Sequence, residues 1–80
     1  MTKDELLEAQ KKFGQHLQAV REKKGLSLLK VSYNCSIDES HISKIEQGKF
    51  NITLSTIIEL AKGLGIHPLE LLNYEFTKFK

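Results

Sequence analysis

Apolar residues recur at helical spacing along most of this chain, and polar residues mark the breaks. Over residues 4–24, Leu6, Phe13, Leu17 and Val20 fall on one face while lysines and glutamates fill the other, which predicts one long amphipathic helix. Lys23 and Lys24 followed by Gly25 supply a cationic last turn and a glycine stop. Gly14 interrupts the helix at a cost of about 1 kcal/mol relative to alanine, so a close helix crossing is expected there. Ser27 is suited to cap a second helix running to about Asn34, with Leu28 and Val31 inward and Lys30 and Asn34 outward. Residues 35–37 then form a turn, Asp38 caps a third helix and Gly48 stops it. Thr53 caps a fourth helix, in which Ile57, Leu60, Ala61 and Leu64 share a face. Gly65 ends that helix, and Pro68 opens a short fifth helix through Leu72.

The last residues read two ways. Tyr74 and Phe76 alternate with Glu75 and Thr77 as in a strand, whereas Leu71, Leu72, Glu75, Phe76 and Phe79 fit a continued helix. An end this aromatic is expected to fold back onto the core or to pack against a second copy. The expected architecture is all-α, a single five-helix domain over residues 1–80 with its core in 13–72 and a tail in 73–80.

Composition limits the class. Eighty residues make one small domain that buries only about 60% of its unfolded surface. Cys35 is the one cysteine, so no disulfide forms within a copy, and good helix packing or a partner chain must supply the stability. With 40% hydrophobic and 28% charged residues the chain is not a disordered one. No apolar run approaches about 18 residues and the N-terminus has no signal-peptide core, so no membrane span and a cytoplasmic location are expected. The net charge of +2 is too small for a protein that coats nucleic acid indiscriminately.

Residues 26–48, LSLLKVSYNCSIDESHISKIEQG, have the layout of a helix-turn-helix, and that layout makes DNA the leading ligand. In its second helix Ile42 and Ile45 turn inward, leaving Glu39, Ser40, Ser43, Lys44 and Gln47 on the opposite face. All five can hydrogen-bond. The same segment is slightly acidic, since residues 38–51 set Asp38, Glu39 and Glu46 against Lys44 and Lys49. Lys44 suits guanine O6 and N7, Ser40 and Ser43 suit either kind of group, and Glu39 suits cytosine N4 or simply the positive end of its own helix. Ser27, the Leu28 backbone, Gln47, Lys49 and Asn51 are the candidates for phosphate contacts, because helix starts and the loop after a recognition helix flank the DNA backbone.

Three segments, REKKGL at 21–26, HISKIEQGK at 41–49 and IIELAKGLGIHPLELL at 57–72, resemble the Cro and lambda-repressor type of helix-turn-helix, the xenobiotic-response-element family. Among its small members the chain is similar to the controller proteins of restriction-modification systems. The resemblance spans roughly residues 13–72. It implies five helices with the third in the major groove, dimers on two-fold-related half-sites, and transcription control, commonly repression. It further implies an internal salt bridge between Arg21 and Glu46, with Arg21 on DNA as the alternative. The chain departs from the family at Leu28, where a glutamine is usual, at Ser36, where the turn usually has glycine, and at the acidic pair Asp38 and Glu39. Serine at a positive φ is strained, so a rebuilt turn is expected.

Leu69, Leu72, Tyr74, Phe76 and Phe79 offer more apolar area than one small core can cover and are the expected homodimer interface. Enzyme chemistry has no foothold. Ser40 and His41 are neighbours on one helix and point apart, with no third group to orient a base. His16, His41, His67 and Cys35 lack a metal-ligand spacing, and the glycines at 63–65 follow a helix where a nucleotide cradle would precede one. Neither metal nor cofactor is expected. The competing class is a protein-interaction module of the same fold, antitoxin-like or a regulatory subunit, that has lost DNA affinity.

Overall fold

The computed structural model describes residues 1–75. Four α-helices follow one another: α1 Lys3–Lys23, α2 Leu28–Tyr33, α3 Glu39–Glu46 and α4 Leu54–Leu64, with a 3₁₀ turn over Pro68–Leu71. Each helix starts where a short oxygen-bearing side chain takes up a free backbone N–H. Ser27, Asp38 and Thr53 accept from the N–H of Lys30, His41 and Thr56, three residues on in each case. α1 begins at Lys3 because Thr2 and Glu5 form a reciprocal pair: Thr2 Oγ1 accepts from Glu5 N at 3.1 Å while Glu5 Oε1 accepts from Thr2 N at 2.7 Å. The T-x-x-E signature was present in the sequence and marks the start better than the first periodic residue does. At the other ends, Gly25, Gly48 and Gly65 close α1, α3 and α4 with one recurring pair of backbone bonds, as in Gly48 N to Ile45 O and Lys49 N to Lys44 O.

The expected fifth α-helix is a 3₁₀ turn. Its backbone bonds run over three residues, Glu70 N to His67 O and Leu72 N to Leu69 O at 3.0 Å each. His67 caps its start, with Nδ1 accepting from Leu69 N at 3.0 Å. Leu72 already lies at its C-cap, so the segment ends before a second turn can close. A chain of four residues has too few bonds to favour the α form over the tighter one.

The core is Phe13 and Leu17 of α1, Val31 of α2, Ile37 of the turn, Ile42 and Ile45 of α3, Leu60, Ala61 and Leu64 of α4, and Leu71. Val20, Leu28 and Ile57, expected inward, lie half-buried at its edge, and Leu6, also expected inward, is half-buried. Ile37 joins the core from the α2–α3 turn, where no helical period announces it, and Leu71 joins it from the 3₁₀ turn. α1 crosses the end of α3 at Gly14, where a Cβ would stand 2.5 Å from the carbonyl oxygens of both Ile45 and Glu46. Only a residue without a side chain permits that approach. Tyr74 folds back toward α1, half-buried, its ring 4.7 Å from that of His16. The tail residues Phe76 and Phe79, with the choice between strand and helix there, lie outside the described residues.

Candidate nucleic-acid interface

α3 is held from within and presented outward. Its inner side carries Ile42 and Ile45, both buried, together with the carboxylate of Glu46. Arg21 of α1 meets that carboxylate with two bonds, Nε to Oε2 at 2.7 Å and Nη2 to Oε1 at 3.0 Å, while Nη1 donates to Leu26 O at 2.8 Å. The three donors of one planar group therefore tie α1, the α1–α2 connection and α3 together. Hydrogen bonding to Glu46 raises the Arg21 pKa further above its ordinary value, against some desolvation. Arg21 faces inward here, so it belongs to the support of α3.

The turn between α2 and α3 has no left-handed residue, since among the described residues only glycines have positive φ. Ser36 instead donates both its backbone N–H and its hydroxyl to Glu59 Oε1 of α4, each at 3.0 Å. The Ser36 N–H is the main reason the Glu59 pKa is lowered, with a further bond from Lys62. Cys35 is half-buried beside this turn, its Sγ 3.4 Å from the Val31 carbonyl oxygen.

The outer side of α3 exposes Glu39, Ser40, Lys44 and Gln47. Ser43 is half-buried, and its Oγ accepts from Gln47 Nε2 at 3.1 Å. Of the three carboxylates that made the segment acidic, Glu46 is buried against Arg21 and Asp38 Oδ1 accepts from His41 N at 2.8 Å. Glu39 remains beside it at the helix start, where a negative charge favours the helix dipole. Lys44 and Lys49 stand toward the other end, both exposed. The segment is thus divided along its length, acidic at the start of α3 and basic toward its end.

The phosphate candidates other than Leu28 are exposed but differ in how freely they act. Ser27 Oγ accepts from Lys30 N at 3.0 Å, which leaves its hydroxyl hydrogen to donate outward. The Leu28 side chain packs against the core, so only its backbone N–H, at the first position of α2, is suited to a phosphate. Lys49 and Asn51 extend from the loop after α3. Lys11 was not anticipated: α1 lays its backbone against Gly48, where a Cβ at φ +78° would meet Lys11 Cα at 2.8 Å. That brings a further exposed lysine alongside Lys49. Its position follows from a tertiary crossing that no local pattern encodes.

Outside this face, Leu69 and Leu72 of the expected dimer surface are exposed, whereas Tyr74 packs on its own chain. Two more apolar residues stand exposed on α4: Leu54 at 71% and Ile58 at 42%, a pair four residues apart that the inward period of α4 had left unassigned. Among the described residues no cluster of His, Cys, Asp and Glu is placed to hold a metal ion, and no helix is long and apolar enough to cross a membrane.

A capped, clamped α3 packed across α2, with hydrogen-bonding side chains on its outer side, defines a helix-turn-helix protein. The sequence pattern of the helix-turn-helix family matches residues 17–71, and the chain belongs to that family of DNA-binding transcription regulators, in its xenobiotic-response-element branch. Among its relatives is the control protein C.BamHI of Bacillus amyloliquefaciens, 35% identical over 63 residues that cover 78% of each chain. An uncharacterized HTH-type transcriptional regulator, y4dJ of Sinorhizobium fredii, is 31% identical over 81% of this chain and 84% of its own. The crystal structure of the restriction-modification controller protein C.AhdI from Aeromonas hydrophila superposes with a TM-score of 0.76 at 37% identity, covering 81% of this chain and 94% of that one.

Proposed function

We propose that this chain is a sequence-specific transcriptional repressor that binds DNA as a homodimer with α3 in the major groove, and that it serves a restriction-modification system as C.AhdI does by name. The observation that carries the reading is the orientation of α3. Its inner side is fixed by the core and by Arg21–Glu46, which leaves Ser40 and Lys44 exposed on a helix whose position does not depend on them. Lys44 and Ser40 contact base edges, with Glu39 and Ser43 at their flanks. Ser27, the Leu28 amide, Gln47, Lys49 and Asn51, joined by Lys11, contact phosphates and set register. Leu54, Ile58, Leu69 and Leu72 supply the apolar area of a self-complementary interface. Such a dimer sets two recognition helices about 34 Å apart, one turn of DNA.

The test contrasts two lysines on duplexes selected from a random library. Lys44→Ala loses about 1–3 kcal/mol on the selected duplex and relaxes the preference at one base pair per half-site. Lys49→Ala weakens selected and random duplexes alike and reduces the salt slope by about one phosphate per protomer. Both variants remove one charge, so equal losses on every duplex would overturn the assignment of Lys44 to base reading. No retention of wild-type protein on any duplex at low salt would transfer the reading to a protein-interaction module.

A further inference from the structure

Phe50, in the loop after α3, sets its ring edge-on to His41 on the first turn of that helix, with centroids 4.9 Å apart and planes at 73°. Both side chains are exposed, and Phe50 stands outside the hydrophobic core with 41% of its surface in solvent. Together with Asp38, Ser40 and Lys44 they wall an open notch of about 380 Å³. Two features hold Phe50 in place. Gly48, two residues earlier, is pressed against Lys11 of α1, and its carbonyl accepts from Gln10 Nε2 at 3.0 Å. Phe50 also lines a second groove, with Leu6, Ala9 and Phe13 of α1. An aromatic ring is therefore kept beside the two side chains assigned to base reading.

A base-pair edge in the major groove offers hydrogen-bond donors and acceptors, and at thymine an apolar 5-methyl group as well. Ser40 and Lys44 answer the polar groups. Neither of them matches a methyl. We infer that His41 and Phe50 form an apolar notch that receives the 5-methyl group of a thymine neighbouring the base read by Lys44. This rests on the DNA-binding reading above and deepens it by naming a base and the pair of side chains that select it.

The experiment uses the full chain and the duplex it enriches from a random library, with each thymine replaced in turn by deoxyuridine, a change that removes only the methyl. Wild-type protein should lose about fourfold in affinity at one thymine per half-site, the worth of one small apolar group taken out of contact. Phe50→Ala and His41→Ala should bind the thymine duplex more weakly and no longer distinguish it from the deoxyuridine duplex. Phe50→Leu, which keeps an apolar wall, should retain part of the discrimination. Melting temperatures close to wild type, expected because both rings are exposed, separate this loss from unfolding. Wild-type binding indifferent to every replacement overturns the inference and leaves the DNA reading standing, as does a Phe50→Ala protein that still discriminates. Failure of the wild-type chain to bind any duplex overturns the DNA reading itself.

Discussion

The two ends of α3 are anchored by opposite means. At its C-terminal end a guanidinium from α1 meets a carboxylate of α3 out of solvent, and the helices approach so closely at Gly14 that no side chain fits between them. At its N-terminal end the preceding turn is tied to α4 by Glu59, whose carboxylate remains in reach of water while it accepts from Ser36. The first anchorage combines burial, two parallel charge-assisted bonds and steric exclusion. The second is a pair of surface hydrogen bonds that exchange with water at little loss. The rigidity of α3 therefore comes from the end remote from Glu39 and Ser40, and the end that carries those side chains is steered by a weaker tie. Burial, more than the number of bonds, makes a contact decisive, because a partner lost in the interior leaves a charge that water cannot readily reach.

Breaking the stronger anchor should have the largest effect. Glu46→Ala leaves the half-buried guanidinium of Arg21 with the Leu26 carbonyl and the more distant, exposed Glu22 carboxylate, and it should cost up to about 3 kcal/mol of stability, the low end for breaking a buried pair. Denaturant titration checks this. Because the two side chains act as one unit, Arg21→Ala combined with Glu46→Ala should destabilise less than the sum of the single changes. Strict additivity would show that the pair is not a unit.

A smaller loss follows from filling the crossing. Gly14→Ala gains about 1 kcal/mol of helix propensity in an isolated helix. In the folded chain its Cβ meets two backbone carbonyls at 2.5 Å, and forcing such a contact apart costs about 1–3 kcal/mol or more. The melting temperature should fall, and DNA binding should fall with it because α3 is pushed from its seat. A melting temperature that rises would mean that α1 can shift without loss.

The smallest effect belongs to the outer anchor and is read through pH. The folded-state pKa of Glu59 lies below its ordinary value of 4.5, so its bond to Ser36 contributes stability above that value and loses it as pH falls through the folded one. Glu59→Gln should therefore melt slightly below wild type at neutral pH, and the gap should close on acidification below 4.5. A gap that is constant with pH would show that the charge of Glu59 takes no part in holding the turn.

The linear pattern was enough for α1 to α4, for their ends apart from the start of α1, and for the exposed side of α3. Caps such as Ser27, Asp38 and Thr53 and the stops at Gly25, Gly48 and Gly65 act over three or four residues, so a linear pattern contains their whole mechanism. The pairing of Arg21 with Glu46 came from family resemblance, since nothing local relates positions 25 residues apart. Packing between elements alone decided that Ile37 and Leu71 enter the core and that Ser36 finds its acceptor on α4. The same holds for Lys11 beside Gly48 and for Phe50 against His41. In each case the deciding partner lies on another element, and whether an exposed or a buried neighbour waits there is fixed by how helices cross, a geometry set jointly by the whole core.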